Sequence, residues 1–314
     1  MAGIRPGHDD AWEGGCDVAS QMVVPAVGAV AVKRPPSPRP RGQALKRVLG
    51  HAVLVVGVLV SIFPFYWMFV MASNRTADIL TYPPKLVPGD YLLQNIKTVL
   101  AGVPFFSSAW LSLVTAVATT VLVLFFDSLA AFTFAKYDFP AKKILFAAIL
   151  ATFMIPAQLA LVPQFVIMAH LGWVGSIKAL IVPAAANAFG IFWMRQYAQG
   201  AVADELIDAA TVDGAGFFRT YLTVGLPVLR PGLAFLGIFT FIGSWNDYLW
   251  PLIVLDNPTH ITLQVALQQL NGLYTSDYAA IMAGALMATI PLLVVFIIGA
   301  RNFIADLAAG AMKF

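Results

Sequence analysis

Stretches with almost no polar side chains alternate along this chain with short polar connectors, and six apolar runs stand out at about 51–72, 109–134, 144–163, 177–197, 231–254 and 279–303. A bilayer core about 30 Å thick takes a helix of roughly 20 apolar residues, and each run is long enough to supply one. None alternates polar and apolar positions as a porin strand does, and a backbone in lipid must satisfy its own hydrogen bonds. The pattern predicts an all-α, polytopic membrane helical bundle with six transmembrane helices.

The connectors set the expected orientation. Lys33, Arg34, Arg39, Arg41, Lys46 and Arg47 precede the first run, Lys136, Lys142 and Lys143 follow the second, and Arg195, at the end of the fourth, joins Arg219 and Arg230 on the connector between the fourth and fifth. With Arg301 and Lys313 at the end, fourteen basic residues fall on one side, against Arg75, Lys85, Lys97 and Lys178 on the other. Positive charge accumulates on the cytoplasmic side, so both termini are expected there. Trp67, Trp110, Trp173, Trp193 and Trp250 lie near run ends, where they fit interfacial belts or helix packing.

Residues 1–47 read as a disordered cytoplasmic extension ahead of a transmembrane region over 48–314, because Pro35, Pro36, Pro38 and Pro40 sit among basic residues with no core to bury. The apolar stretch 22–32 is too short to span, carries Pro25, and precedes its basic residues where a signal peptide would follow them. Met22 is itself a candidate start.

Composition agrees with the pattern. Hydrophobic residues make up 60% and charged residues 11%, and the mean hydropathy is +0.80, more apolar surface than one soluble core needs, so membrane lipid is an expected partner. The net charge is only +3 and the basic residues flank apolar runs, which argues for topology and against nucleic acid. Cys16 cannot form an internal disulfide, and His8, His51, His170 and His260 lack any close ligand spacing, so no metal site is expected. No G-x-x-x-x-G-K-[ST] loop is present to cradle nucleotide phosphates, which leaves energy to a partner.

Two connectors carry information. The first, about 73–108, holds Pro83, Pro84, Pro88 and Gly89 and is expected to be ordered and turn-rich. In the connector at about 198–230, the segment 203–212 reads as a short helix with Asp204 and Glu205 in its first turn, where the helix dipole favours acids. Asp213-Gly214 breaks it, a second helical stretch over 216–225 ends at Leu226-Pro227, and Pro231 opens the fifth run. Leu206, Ala209, Ala210 and Asp213 share one face, smooth enough either to enter a partner's groove or to pack on neighbouring spans.

The stretch DAATVDGAGFFRTYLTVGLP at 208–227 closely resembles the cytoplasmic "EAA" loop of bacterial ABC importer permeases. Ala209, Ala210, Gly214, Leu226 and Pro227 match that motif, and Asp208 stands where the family usually has Glu. The likeness to sugar-importer permeases of the maltose type extends to the proline-rich first loop, to FIGSWNDYLWPLIVL at 241–255 and to the tail LAAGAMKF, and covers about 45–314. It implies that Asp208, Ala209, Ala210, Asp213, Gly214, Ala215, Leu226 and Pro227 form an ATPase-coupling surface. It also implies a second homologous permease subunit, two ATPase subunits and an extracytoplasmic solute-binding protein. ATP and magnesium would reside in the ATPase subunits, with no cofactor in this chain, and the assembly would import a carbohydrate or related polyol across the bacterial inner membrane by alternating access. A secondary transporter explains the loop poorly, and an integral-membrane enzyme lacks its residues: the best intramembrane acids, Asp127 and Asp247, come from different runs.

Polar groups inside apolar runs invite functional readings. Asp127 is read as pairing with, or snorkelling toward, the basic residues at 136–143, with a water-filled path as the other reading. Asn246, Asp247 and Tyr248 bring amide, carboxylate and aromatic groups together as a substrate pathway suited to a sugar, or else cap an interfacial helix end. Gly237, Gly243, Gly284 and Gly299 are ordinary membrane-helix glycines or close-packing sites.

Overall fold

The computed structural model describes residues 41–272 and 277–311, with side chains over 46–272 and 277–299. Two compact units divide the chain, Met1–Val56 and Gly57–Phe314. In the first, residues 41–56 are helical, while Cys16, Met22 and the rest of the predicted extension up to residue 40 lie outside the described residues.

Helix α1 (Arg41–Ser73) is followed by the short α2 (Thr76–Ile79) and by α3 (Leu92–Gly102), then by the long α4 (Phe105–Lys136). Next come α5 (Lys142–Met154), a 3-10 turn at Ala157–Ala160, α6 (Leu161–His170), α7 (Lys178–Ile181) and α8 (Ala188–Ala201). The segment predicted as a helix–turn–helix contains α9 (Asp204–Val212) and α10 (Phe217–Thr220), and a π turn at Tyr221–Gly225 leads into α11 (Leu226–Trp245). α12 (Leu249–Val254), α13 (Leu263–Gln268) and α14 (Tyr278–Ala311) complete an all-helical chain among the described residues.

Four stretches are long and apolar enough to cross a membrane: Lys46–Ser73, Phe105–Lys136, Phe217–Trp245 and Tyr278–Gly299. A fifth span results if Lys142–Met154 and Ala157–His170, bent by 95°, count as one. Proline explains the interruptions. Pro156 has no N–H to continue α5 and forces Ile155 into extended backbone at φ −81 and ψ 124. The run at 177–197 is likewise no single helix, because α7 stops just before Pro183 and α8 restarts at Ala188 under the Asn187 cap.

The fifth run departs from expectation at both ends. The stretch that begins at 217 does not end at Leu226-Pro227 but runs on through Trp245, with Pro227 in the first turn of α11 and Pro231 inside it. The π turn widens the helix just where the Pro227 ring would otherwise strike the preceding turn. At its other end the run breaks at 246–248, one turn ahead of Pro251.

In the second unit, α4 packs along α8 and α11. One buried cluster joins α3, α4, α11, α13 and α14 around Val99, Ala116, Trp245 and Leu263; another joins α4, α8 and α11 around Phe132, Met194 and Leu229. Large apolar side chains on the outer faces stay exposed, among them Phe63, Phe65, Phe296 and Ile297, as a lipid-facing surface requires. The connector between α1 and α4 is ordered, as its prolines predicted. Buried Asn95 donates to the carbonyls of Ala72 and Asn74, Asn74 donates to Val70 and Val87, and the Arg75 guanidinium lies 4.3 Å from the Tyr91 ring centre. On the same connector Lys85 holds the half-buried Asp78 carboxyl below its ordinary range by hydrogen bonding to it.

Candidate functional site

Three chain interruptions meet around one cavity of about 500 Å³, within the range of small-molecule sites. The break after α5 supplies Ala157 and Gln158, the turn before α8 supplies Ala184, Ala186 and Asn187, and the break after α11 supplies Asp247. Thr115 and Thr119 of α4 and Thr240, Gly243 and Ser244 of α11 complete the polar wall. Irregular backbone at membrane depth is tolerable only where protein or water covers it, so the interruptions and the cavity account for one another.

Two tryptophans pin the break at 246–248. Trp245 Nε1 donates to the Ala288 carbonyl at 3.1 Å, tying the end of α11 to α14. Trp250 Nε1 donates to the Ala179 carbonyl at 2.9 Å, tying α12 to α7, so Trp250 is a packing residue rather than part of an exposed belt. Between them the three predicted pathway residues separate. Asp247 lines the large cavity, and its carboxylate faces the backbone N–H groups of Tyr248, Leu249 and Trp250 at the start of α12. Asn246 turns to a second cavity of about 280 Å³ and accepts from Gln264 Nε2 at 3.3 Å. Tyr248 packs against the cluster around Trp245.

Asp127 has a partner other than the basic residues expected for it. Its Oδ1 accepts from the Asn187 N–H at 3.1 Å, while Asn187 Oδ1 accepts from the Gly190 N–H at 2.7 Å. The carboxylate thus sits at the N-terminus of α8, where exposed donors and the helix dipole favour negative charge. Glycine at 190 is a steric need, since a Cβ there would run into the Asp127 carboxylate. Lys136 instead reaches Asp204 at 2.7 Å, linking the end of α4 to the first turn of α9.

The predicted coupling residues form a second, separate region. α9 closes with paired bonds, Ala215 N–H to the Ala210 carbonyl at 2.9 Å and Gly214 N–H to the Thr211 carbonyl at 3.0 Å, around Gly214 at φ +72. That is the left-handed helix end a glycine makes freely. Asp208, Ala209 and Asp213 are exposed together with Leu206 and Val212. Ala210 is buried beside Ile207, so the smooth face is split between the chain's own interior and its surroundings. Ala215 is half-buried, and Leu226 and Pro227 lie at the start of α11, beyond the π turn.

Sequence reasoning missed Thr115, Thr119, Gln158, Gln164 and Asn187 as wall residues. The available signal was an amide close to a proline inside an apolar run: Gln158 after Pro156, Gln164 after Pro163, Asn187 after Pro183.

No family model matches the chain. It is 34% identical over 260 residues to the lactose transport system permease protein LacG of Rhizobium radiobacter, spanning 83% of this chain and 94% of that one. It is 36% identical over 209 residues to the arabinooligosaccharides transport system permease protein AraQ of Halalkalibacterium halodurans, spanning 67% of this chain and 73% of that one. To the sn-glycerol-3-phosphate transport system permease protein UgpE of Salmonella typhi it is 31% identical over 271 residues, spanning 83% and 95%. In fold it resembles a chain of a bacterial ABC transporter involved in the import of the acidic polysaccharide alginate, with a TM-score of 0.72 and 23% identity over 85% of this chain and 99% of that one. The chain therefore belongs to the carbohydrate-uptake family of ABC importer permease subunits, multi-pass proteins of the bacterial inner membrane.

Proposed function

We propose that this chain forms half of the translocation pathway for a sugar or related polyol, the other half coming from a second, homologous permease subunit. The observation that carries this reading is the convergence of three interrupted helices on one polar-walled cavity. Six crossings, with the bent α5–α6 pair and the interrupted α7–α8 pair each counted once and both termini in the cytoplasm, fit the fourteen-to-four distribution of basic residues.

In that orientation α9 lies at the inner face. Its exposed Leu206, Ala209 and Val212, with Phe218 just beyond, make an apolar patch that suits the cleft of an ATPase subunit. Two such subunits, holding ATP and magnesium, would close on nucleotide and drag α9 as a rigid body. Lys136–Asp204 and the π turn against α4 would pass the movement to the spans, switching the cavity between inward and outward access. An extracytoplasmic binding protein would deliver the solute. ATP-dependent uptake by the reconstituted assembly, measured over lactose, arabinooligosaccharides, maltose, glycerol and sn-glycerol 3-phosphate, tests the reading. Uptake without ATP, driven by an ion gradient alone, overturns it in favour of a secondary transporter.

A further inference from the structure

We propose, resting on the reading of the cavity as part of the solute path, that its wall selects an uncharged, hydroxyl-rich solute and turns anionic ones away. The relatives leave this choice open, since one is a lactose permease and another a permease for sn-glycerol 3-phosphate.

The wall decides by its chemistry. Gln158, Gln164 and Asn187 each carry an amide that both donates and accepts, the capacity that matches a hydroxyl, which also does both. Thr115, Thr119 and Thr262 are buried at the wall and their hydroxyls have no partner among the described residues. Those oxygens are covered by neighbouring atoms, so the hydrogen bonds open to a guest come from the amides rather than from these hydroxyls. Phe239 and Trp250 add apolar surface against which the C–H face of a sugar ring can lie.

Charge gives the discrimination. Among the described residues that line the cavity there is no Lys, Arg or His. Asp247 is the one formally charged side chain among them, and it faces the N–H groups at the start of α12. A phosphate or uronate entering here meets a like charge and no counter-cation from this chain's described wall, in a cleft where the repulsion is little screened.

The test uses the assembled transporter in membranes, with Cys16→Ser as background and Thr240→Cys or Ser244→Cys placed at the wall. Labelling rates of neutral hydroxyethyl and anionic sulfonatoethyl methanethiosulfonate are each normalised to Thr259→Cys, an exposed position outside the cavity. The neutral reagent is expected to lead the anionic one by about tenfold at the wall, and Asp247→Asn to narrow that lead. Equal normalised rates, or no reaction of either thiol with either reagent, overturn the proposal. The labelling needs no turnover, so a complex that imports no solute yet keeps the charge ratio loses the transport reading, whereas an importing complex with equal rates loses charge selection alone.

Discussion

The Tyr221 hydroxyl lies 2.6 Å from Ser128 Oγ, joining the π turn that follows α10 to the C-terminal third of α4. Ser128 adjoins Asp127, which holds the start of α8 at Asn187, and Asn187 lines the cavity. One turn of α4 therefore touches both the segment that carries α9 and the segment that walls the cavity. Such contiguity supplies a physical route for coupling, which a perturbation at Tyr221 tests.

Tyr221→Phe removes that bond while keeping the ring on Phe132, and Ser128 retains the Leu124 carbonyl as acceptor. The loss is about 1 kcal/mol, too little to unfold the chain. The expected result is an assembled complex that hydrolyses more ATP per solute imported. An unchanged ratio in proteoliposomes would show that the contact only packs.

Gly190→Ala is expected to lower the melting temperature of the purified complex by an amount equivalent to roughly 1–3 kcal/mol, because the added methyl meets the Asp127 carboxylate and the tip of Leu236. Asp127→Ala in the same chain makes room for it, so the double variant should recover part of the loss. Additive melting shifts would mean that the two residues do not share the contact.

How much of this was legible in the sequence follows from which signals are local. Apolar runs located the helices, and the extent of α9 and the left-handed Gly214 followed from Asp204, Glu205 and the Asp213-Gly214 pair, all within one short segment. The interruptions were missed because Pro156, Pro183 and Pro251 were counted as members of apolar runs, although each removes an N–H that an unbroken helix needs. The partner of Asp127 was not readable at all, since Asn187 stands sixty positions away and meets it only by packing of α8 on α4. Ala210 shares a helix face with Ala209 in projection, yet the side of α9 that turns inward is set by contacts the periodicity does not contain.

Asp247 and Asn246 should behave differently despite being neighbours. Asp247→Ala removes a wall group and the carboxylate facing the start of α12, and is expected to reduce uptake in assembled complexes. Asn246→Ala, at the other cavity with an exposed side chain, is expected to leave uptake near its unmodified level. Uptake kinetics that fall equally for both would refute the separation of the two cavities by function.

The orientation is open to labelling in intact cells. Thiols at Tyr82, almost fully exposed, and at Thr259 should react with an impermeant reagent from outside, and one at Ala141 should stay protected until the membrane is opened. The opposite pattern would invert the assignment of both termini.

The coupling surface gives the last prediction, and the burial difference between two adjacent alanines makes it specific. Ala209 is exposed on α9, whereas Ala210 is buried with Ile207. A tryptophan at 209 projects outward, where it meets only what docks there, so Ala209→Trp should leave the melting temperature of the permease unchanged while reducing co-purification of the ATPase subunits and abolishing uptake. A tryptophan at 210 must enter the chain's own interior, so Ala210→Trp should lower the melting temperature first, with loss of uptake as a consequence of overpacking. Gly214→Val falls between them: there is space for a side chain, but φ +72 costs a β-branched residue about 1–2 kcal/mol, which loosens the end of α9 and weakens attachment with only a small change in global stability. Melting curves and ATPase co-purification for the three variants separate these outcomes, and an Ala209→Trp complex that keeps its ATPase subunits and its uptake would remove α9 from the coupling surface.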